Sequence, residues 1–104
     1  MPRTDDKTRQ KLARDLLLGA LRVEDPVLNE TALEIIALLG ERMVPLLVGE
    51  ALNQGHQPAH RVRAVQALQR IGHTTDMSCF FDLLSLLWDS DDQVRRAAEQ
   101  LGLN

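Results

Sequence analysis

Two histidines, His56 and His60, stand four residues apart, a spacing at which one face of a helix can hold a metal ion. Their neighbours favour a different arrangement. Gly55 favours a turn, and Pro58 favours the first position of a helix, so we expect His56 in a loop and His60 on the helix. Because the sequence offers no evident third ligand, we expect two solvated side chains and no metal ion.

A second group of possible ligands is the acidic run Asp89, Asp91 and Asp92, whose oxygen atoms could bind Ca²⁺. An EF-hand loop also needs a glycine and a glutamate at fixed later positions, and neither follows here. The run instead precedes a helical apolar pattern, and Ser90 with Gln93 three residues later fits a capping box. The acids would then lie in the first helical turn, where the helix dipole favours negative charge.

Catalytic motifs are missing from the sequence. It contains no Ser-x-x-Lys, phosphate loop, glycine-rich dinucleotide turn or nucleophile elbow. Cys79 lies in the apolar stretch MSCFF, without an evident activating base, and is expected to be a buried structural thiol. We therefore expect no enzyme activity and no cofactor.

The length, charge and composition of the chain limit the kinds of protein that it can be. The 104 residues suffice for one small domain, 1–104, and a formal net charge of −3 does not suggest a polyanion as partner. Apolar residues make up 44% and aromatic residues only 3%, which favours aliphatic helices over a sheet. A lone cysteine, an N-terminus without a signal-peptide pattern and no apolar run long enough to span a membrane predict a cytoplasmic protein.

An internal repeat organises the chain. PVLNETALEIIALLG, residues 26–40, aligns with PAHRVRAVQALQRIG, residues 58–72, at an offset of 32. The matched pairs include Pro26 and Pro58, Ala32 and Ala64, Ile36 and Leu68, and Gly40 and Gly72. The closing stretch fits the same frame one residue later, through Ala97, Ala98 and Leu101. Each copy carries apolar residues on one helical face.

Six helices are predicted, in three hairpins. Their expected ranges are 5–23, 27–39, 43–53, 59–71, 76–88 and 91–102, and the three repeats are 5–40, 41–72 and 73–104. Asp25 followed by Pro26 is typical of an N-cap and first helical position. In the first helix, one stripe is expected to be buried: Leu12, Ala13, Leu16, Leu17, Ala20 and Leu21.

The stretches LLSLLWDSDDQVRRAAEQLG, ALQRIG and GERMVPLL resemble HEAT repeats, particularly the short kind first associated with bilin lyases. The resemblance implies an all-α fold, an α–α superhelix or solenoid of three hairpins whose second helices line the inner face. It also implies a ladder in which a turn aspartate bonds the arginine of a neighbouring repeat. Asp89 or Asp91, with Arg95, would belong to it. In the second copy Arg61 or Arg63 takes the arginine place.

For function, the resemblance implies a non-catalytic protein-interaction module or scaffold. We expect the chain to be a monomer or a weak homodimer. An alternative is an accessory subunit of an enzyme acting on a bilin or nucleic acid, or a nucleic-acid-binding HEAT protein. Residues 57–73 contain three arginines and no acid, which is typical either of a polarised groove or of a solvated helix face. The expected partner-binding residues are Glu34, Arg63, Gln66, Arg70, Arg96 and Glu99.

Overall fold

The computed structural model describes residues 6–72 and 80–101, and within them the chain is helical without a strand. The α-helices are α1 Asp6–Arg22, α2 Pro26–Leu39, α3 Val44–Leu52, α4 Pro58–Ile71, α5 Phe80–Ser85 and α6 Asp92–Glu99. Short 3₁₀-helices precede α3 at Gly40–Met43 and follow α5 at Leu86–Trp88. These bounds lie close to the predicted ones. The predicted start of the fifth helix and the expected burial of Cys79 fall outside the described residues.

The helices form three stacked hairpins. Within the hairpins, α1 packs on α2, α3 on α4, and α6 on the 3₁₀-helix that extends α5. Between the hairpins, α4 lies in the middle and contacts α2 on one side and α6 on the other. This arrangement confirms the predicted all-α superhelix of three HEAT-like hairpins.

The matched prolines and glycines of the repeat mark the ends of α2 and α4, and both helices begin with a proline. The carboxylate of Asp25 accepts hydrogen bonds from the backbone N–H groups of Val27 and Leu28, at 3.0 and 3.3 Å, and so caps α2 as predicted. Both helices end at a glycine with positive φ, 68° at Gly40 and 88° at Gly72. Side chains rarely adopt this backbone conformation, so the matched glycines let the chain turn into the next helix.

The core consists of aliphatic side chains from all six helices and the 3₁₀-turns. The largest fully buried ones are Leu21, Ile36, Met43, Leu47, Leu86, Val44, Val65 and Val94. The predicted buried stripe of α1 is wrong in its N-terminal half, where Leu12 and Leu16 are 54% and 74% exposed. Farther along the helix, Leu18 and Leu21 are buried. The reason is geometric: only the C-terminal half of α1 is covered by its neighbours.

Candidate functional site

Each second helix carries a polar side chain at the fourth residue after its N-cap. The N-caps are Asp25, Gln57 and Asp91, and the side chains are Asn29, Arg61 and Arg95. Each donates to a carbonyl at or just after the end of the preceding helix: Asn29 to Ala20 and Val23, Arg61 to Ala51, and Arg95 to Asp89. Carbonyls at a helix end lack partners within the helix, so these bonds hold each hairpin together.

Arg61 also joins the second hairpin to the third. Its guanidinium group contacts both carboxylate oxygens of Asp89, with Nη1 to Oδ2 at 3.1 Å, and both side chains are almost completely buried. Gln54 and the backbone N–H of Asp91 complete the environment of the carboxylate, each at 3.0 Å. The hydrogen bond from Arg61 is the main cause that holds the pKa of Asp89 below its ordinary value. Asp89 is therefore ionised at neutral pH.

The aspartates that follow have other tasks. Asp91 caps α6, because its carboxylate accepts from the backbone N–H groups of Gln93 and Val94 at 2.9 and 3.1 Å. The prediction that Ser90 is the N-cap is therefore wrong by one residue. Asp91 directly precedes α6 and is better placed, and a carboxylate is a stronger acceptor than a hydroxyl group at a helix N-terminus. Arg95 pairs with Asp92 in the same turn.

The expected partner-binding residues divide into two groups. Arg63 is largely occupied within the chain: it donates to the carbonyls of Leu21 and Val23 and pairs with Glu24, and its side chain is only 16% exposed. The others lie on the surface. Glu34 is exposed on α2, Gln66 and Arg70 on α4, and Arg96 and Glu99 on α6.

Arg70 bridges two repeats on this surface. Its two Nη atoms donate to the two carboxylate oxygens of Glu30 at 2.7 and 2.8 Å, from α4 to α2. The hydrogen bond from Arg70 lowers the pKa of Glu30, and the reverse contact raises the pKa of Arg70. The pair is solvent-exposed, so it orients Arg70 more than it stabilises the fold.

Two shallow grooves run between the second helices. The groove between α2 and α4, of about 430 Å³, is lined by Glu30, Leu33, Gln66, Gln69 and Arg70. The groove between α4 and α6 is lined by Leu68, Gln69, Gly72, Gln100 and Leu101. The structure thus brings Gln66 and Arg70 together in one groove, while Glu34, Arg96 and Glu99 are not among the lining residues of either.

A polar cluster missed by the sequence analysis lies at the α3–α4 turn. His56 is in the loop and His60 in the first turn of α4, as predicted. The expectation of two solvated side chains is wrong, because His60 is buried and both imidazoles contact the carboxylate of Glu50 from α3. The Glu50 Oε2 atom is 2.7 Å from His56 Nε2 and 2.9 Å from His60 Nε2, and Arg22 Nη2 is 2.7 Å from Oε1. The third candidate ligand was hidden because Glu50 belongs to the preceding helix.

Glu50 is almost completely buried. Burial works to raise the pKa of this carboxyl group, but hydrogen bonds from His60 and Arg22 outweigh it and leave the pKa below its ordinary value. An ionised carboxylate only accepts hydrogen bonds, so both imidazoles present an N–H at Nε2 in this arrangement. The only buried side-chain nitrogen or oxygen without a partner, within the described residues, is Nδ1 of His60.

A family model of HEAT repeats matches residues 13–103. The chain belongs to the HEAT-repeat family. HEAT repeats are commonly protein-interaction scaffolds and are generally non-catalytic. No curated protein and no solved structure matches the sequence.

Within residues 6–72 and 80–101, the inter-repeat ladder implied by the resemblance to HEAT repeats is present as one buried contact, between Arg61 and Asp89. Of the alternatives left open by the sequence, Arg61 takes the arginine place and Asp89 the aspartate place. Arg63 instead reaches back to the end of α1 in the first HEAT repeat. No helix in the described part of the chain combines the length and apolar character needed to cross a membrane.

Proposed function

We propose that this HEAT-repeat chain is a non-catalytic protein-interaction module that binds a protein segment along the exposed surface of α2, α4 and α6, the second-helix face. The observation that carries the proposal is the pair of adjoining grooves on this face, which share Gln69. A segment lying across α4 would contact both. Grooves between packed helices are common places for ligands and partners to bind.

Rigidity of the face supports this function. The buried rung between Arg61 and Asp89 ties the second hairpin to the third, and Arg63 ties it to the first. The second-helix face is therefore ordered before a partner arrives. Binding to an ordered surface avoids part of the entropy loss of association, which favours affinity for a given contact area.

The charged residues of the second-helix face indicate which charges a partner segment would carry. Arg70 is 40% exposed and is held by Glu30 with its planar guanidinium group over the groove. An acidic side chain of the partner would compete with Glu30 for Arg70, while exposed Glu34 and Glu99 would favour basic residues on either side. The best match is a segment of mixed charge with an acidic residue opposite Arg70.

Nucleic acid fits this surface less well. Arg61 is buried, and Arg63, Arg70 and Arg95 are each paired with an acid of the chain. Phosphate contacts would have to displace these carboxylates, in a protein whose formal net charge is −3. An accessory role beside an enzyme would use the same protein-binding surface, and a bilin bound in such a complex would be visible as colour.

The experiment is a quantitative pull-down from native extract with the wild type, Arg70→Glu and a charge-matched control, Arg9→Glu. Arg9 is exposed on α1, away from the second-helix face. We expect a partner that the wild type and Arg9→Glu retain and Arg70→Glu loses, with weaker retention at high salt. Equal recovery by all three proteins would place the binding site elsewhere. A partner that disappears after nuclease treatment would favour nucleic acid instead.

A double exchange sharpens the comparison. Glu30→Arg combined with Arg70→Glu keeps the ion pair between α2 and α4 but reverses its direction. If the partner binds through the positive charge of Arg70, the double exchange does not restore binding. If Arg70→Glu weakens binding only by disturbing the packing of the two helices, the exchange restores it, and the proposed contact is wrong.

A further inference from the structure

The α3–α4 turn gathers three potential metal ligands that the proposed function does not use. Glu50 comes from α3, His56 from the loop, and His60 from the first turn of α4. One ligand atom from each lies within 4.8 Å of the other two. Glu50 and His60 are buried, so two imidazoles converge on one carboxylate that is largely shielded from water, an arrangement that a bound metal ion would also produce.

We propose that Glu50, His56 and His60 bind a single Zn²⁺ ion. Two imidazole nitrogens and one carboxylate oxygen form a set of three protein ligands typical of zinc sites that keep a fourth position open. The imidazoles disfavour Ca²⁺ and Mg²⁺, which are bound through oxygen atoms.

The present distances from Glu50 to the two imidazoles are those of hydrogen bonds, so zinc binding requires the three side chains to shift. Glu50 Oε2 lies 2.7 and 2.9 Å from the two Nε2 atoms. Tetrahedral zinc with bonds of about 2.0–2.2 Å places its ligand atoms about 3.4 Å apart. Each imidazole nitrogen must therefore move roughly 0.5–0.7 Å away from Oε2, and the two nitrogens, which lie within 4.8 Å of each other, must adopt the same spacing. His56 can supply this movement because it lies in the loop. Each imidazole must also move its proton from Nε2 to Nδ1 or release it.

The second oxygen of Glu50 is already engaged. Arg22 holds Oε1, which fixes the carboxylate and leaves Oε2 directed at the two histidines. A small cavity beside the cluster is lined by Arg22, Glu24, Gly55, His56, Gln57 and His60. A water molecule in this cavity could take the fourth position on the ion.

His60 sets a limit on the affinity. Its Nδ1 atom is buried and, within the described residues, has no hydrogen-bond partner. Metal-bound histidines usually donate this second N–H to an acceptor, and loss of such a contact typically weakens metal binding about 10- to 100-fold. We therefore expect a moderate zinc affinity, with the ion linking α3 and the loop to α4.

The test uses the purified chain, freed of metal with a chelator and titrated with zinc chloride in a calorimeter. We expect one saturable site per chain, an increase in melting temperature on adding zinc, and no saturable binding of Mg²⁺. Failure of zinc to bind at a single saturable site would overturn the proposal. Its outcome is independent of the pull-down experiment, because no residue of the second-helix face takes part.

Two ligand variants and one control locate the site. His56→Gln and Glu50→Gln should each weaken zinc binding at least about 10-fold, whereas His73→Gln, which changes the remaining histidine of the sequence, should leave it unchanged. His56 is 25% exposed and in a loop, so its variant is the one expected to fold normally, as circular dichroism would check. Unchanged affinity in folded His56→Gln, or an equal loss in His73→Gln, would show that the ion binds elsewhere.

Discussion

Replacing Asp89 by asparagine tests whether one buried ion pair joins the second and third hairpins. The substitution keeps the shape of the side chain but removes its charge, leaving the guanidinium group of Arg61 buried without a counter-ion. Both side chains are at most 4% exposed, so water cannot take over the lost contact. Breaking a buried pair by removing one partner typically costs about 3–5 kcal/mol.

That loss is large for a domain of this size. Small domains are stable by about 5–15 kcal/mol in total, so the variant should lose a large part of its free energy of unfolding. Each kcal/mol lowers the melting temperature of a domain of 60–100 residues by about 4–8 °C, which gives an expected fall of at least ~12 °C. Asparagine also turns one acceptor oxygen into a donor that faces the donors of Arg61 and Gln54.

The measurement is urea unfolding followed by circular dichroism, with Asp15→Asn as the control. Asp15 is an exposed aspartate on α1, so the same chemical change there should alter stability by less than about 0.5 kcal/mol. Adding 1 M salt should not remove the difference between the two variants, because a buried pair is poorly screened. If Asp89→Asn unfolds at the same urea concentration as Asp15→Asn, the pair does not stabilise the stack.

Three further predictions concern the core, a cap and pH. Ile36→Ala and Leu68→Ala remove matched core side chains and should each cost about 2–5 kcal/mol; a midpoint shift no larger than that of exposed Gln66→Ala would mean a wrong helix face. Asp25→Ala removes the cap of α2 and should cost about 1 kcal/mol in thermal or urea unfolding, and an unchanged midpoint would contradict the cap. Because the folded-state pKa of Asp89 is lowered, its stabilising effect is present above the unfolded pKa of about 3.9 and is lost as pH falls below that value. Wild type and Asp89→Asn should therefore differ by a constant amount above that pH and converge below it; a difference that stays constant below it would contradict the assignment.

The positions of the helices could be predicted because short sequence patterns mark where each helix begins and ends. Asp25 before Pro26 marks a start, Gly40 and Gly72 mark ends, and apolar spacing selects the buried face of α2 and α4. The buried face of α1 could not be predicted in the same way. Within the described residues the first hairpin has a neighbouring hairpin on one side only, and apolar residues such as Leu16 continue the pattern onto the exposed side of α1.

The polar contacts were less predictable because they join residues from different helices. Glu50 precedes His56 and His60 by less than a dozen residues, but only the hairpin turn brings its carboxylate to the imidazoles. Arg63 has the sequence context of a surface arginine, and nothing local indicates that it reaches Leu21 in the preceding hairpin. From its residue type alone, Arg63 was expected to be a charged surface residue, whereas in the structure it forms a contact between repeats.

In the described residues 6–72, the first and second hairpins are not joined by a buried ion pair like the one between Arg61 and Asp89, and the sequence explains why. Asp89 stands two residues before the N-cap Asp91, and the residue two before the N-cap Gln57 is Gly55, which has no carboxylate. An arginine at position 29 would be the matching partner, and without a counter-ion it would be a buried unpaired charge costing several kcal/mol. Asn29 avoids this cost, because its neutral amide donates to the carbonyls that end the first helix and needs no acid opposite.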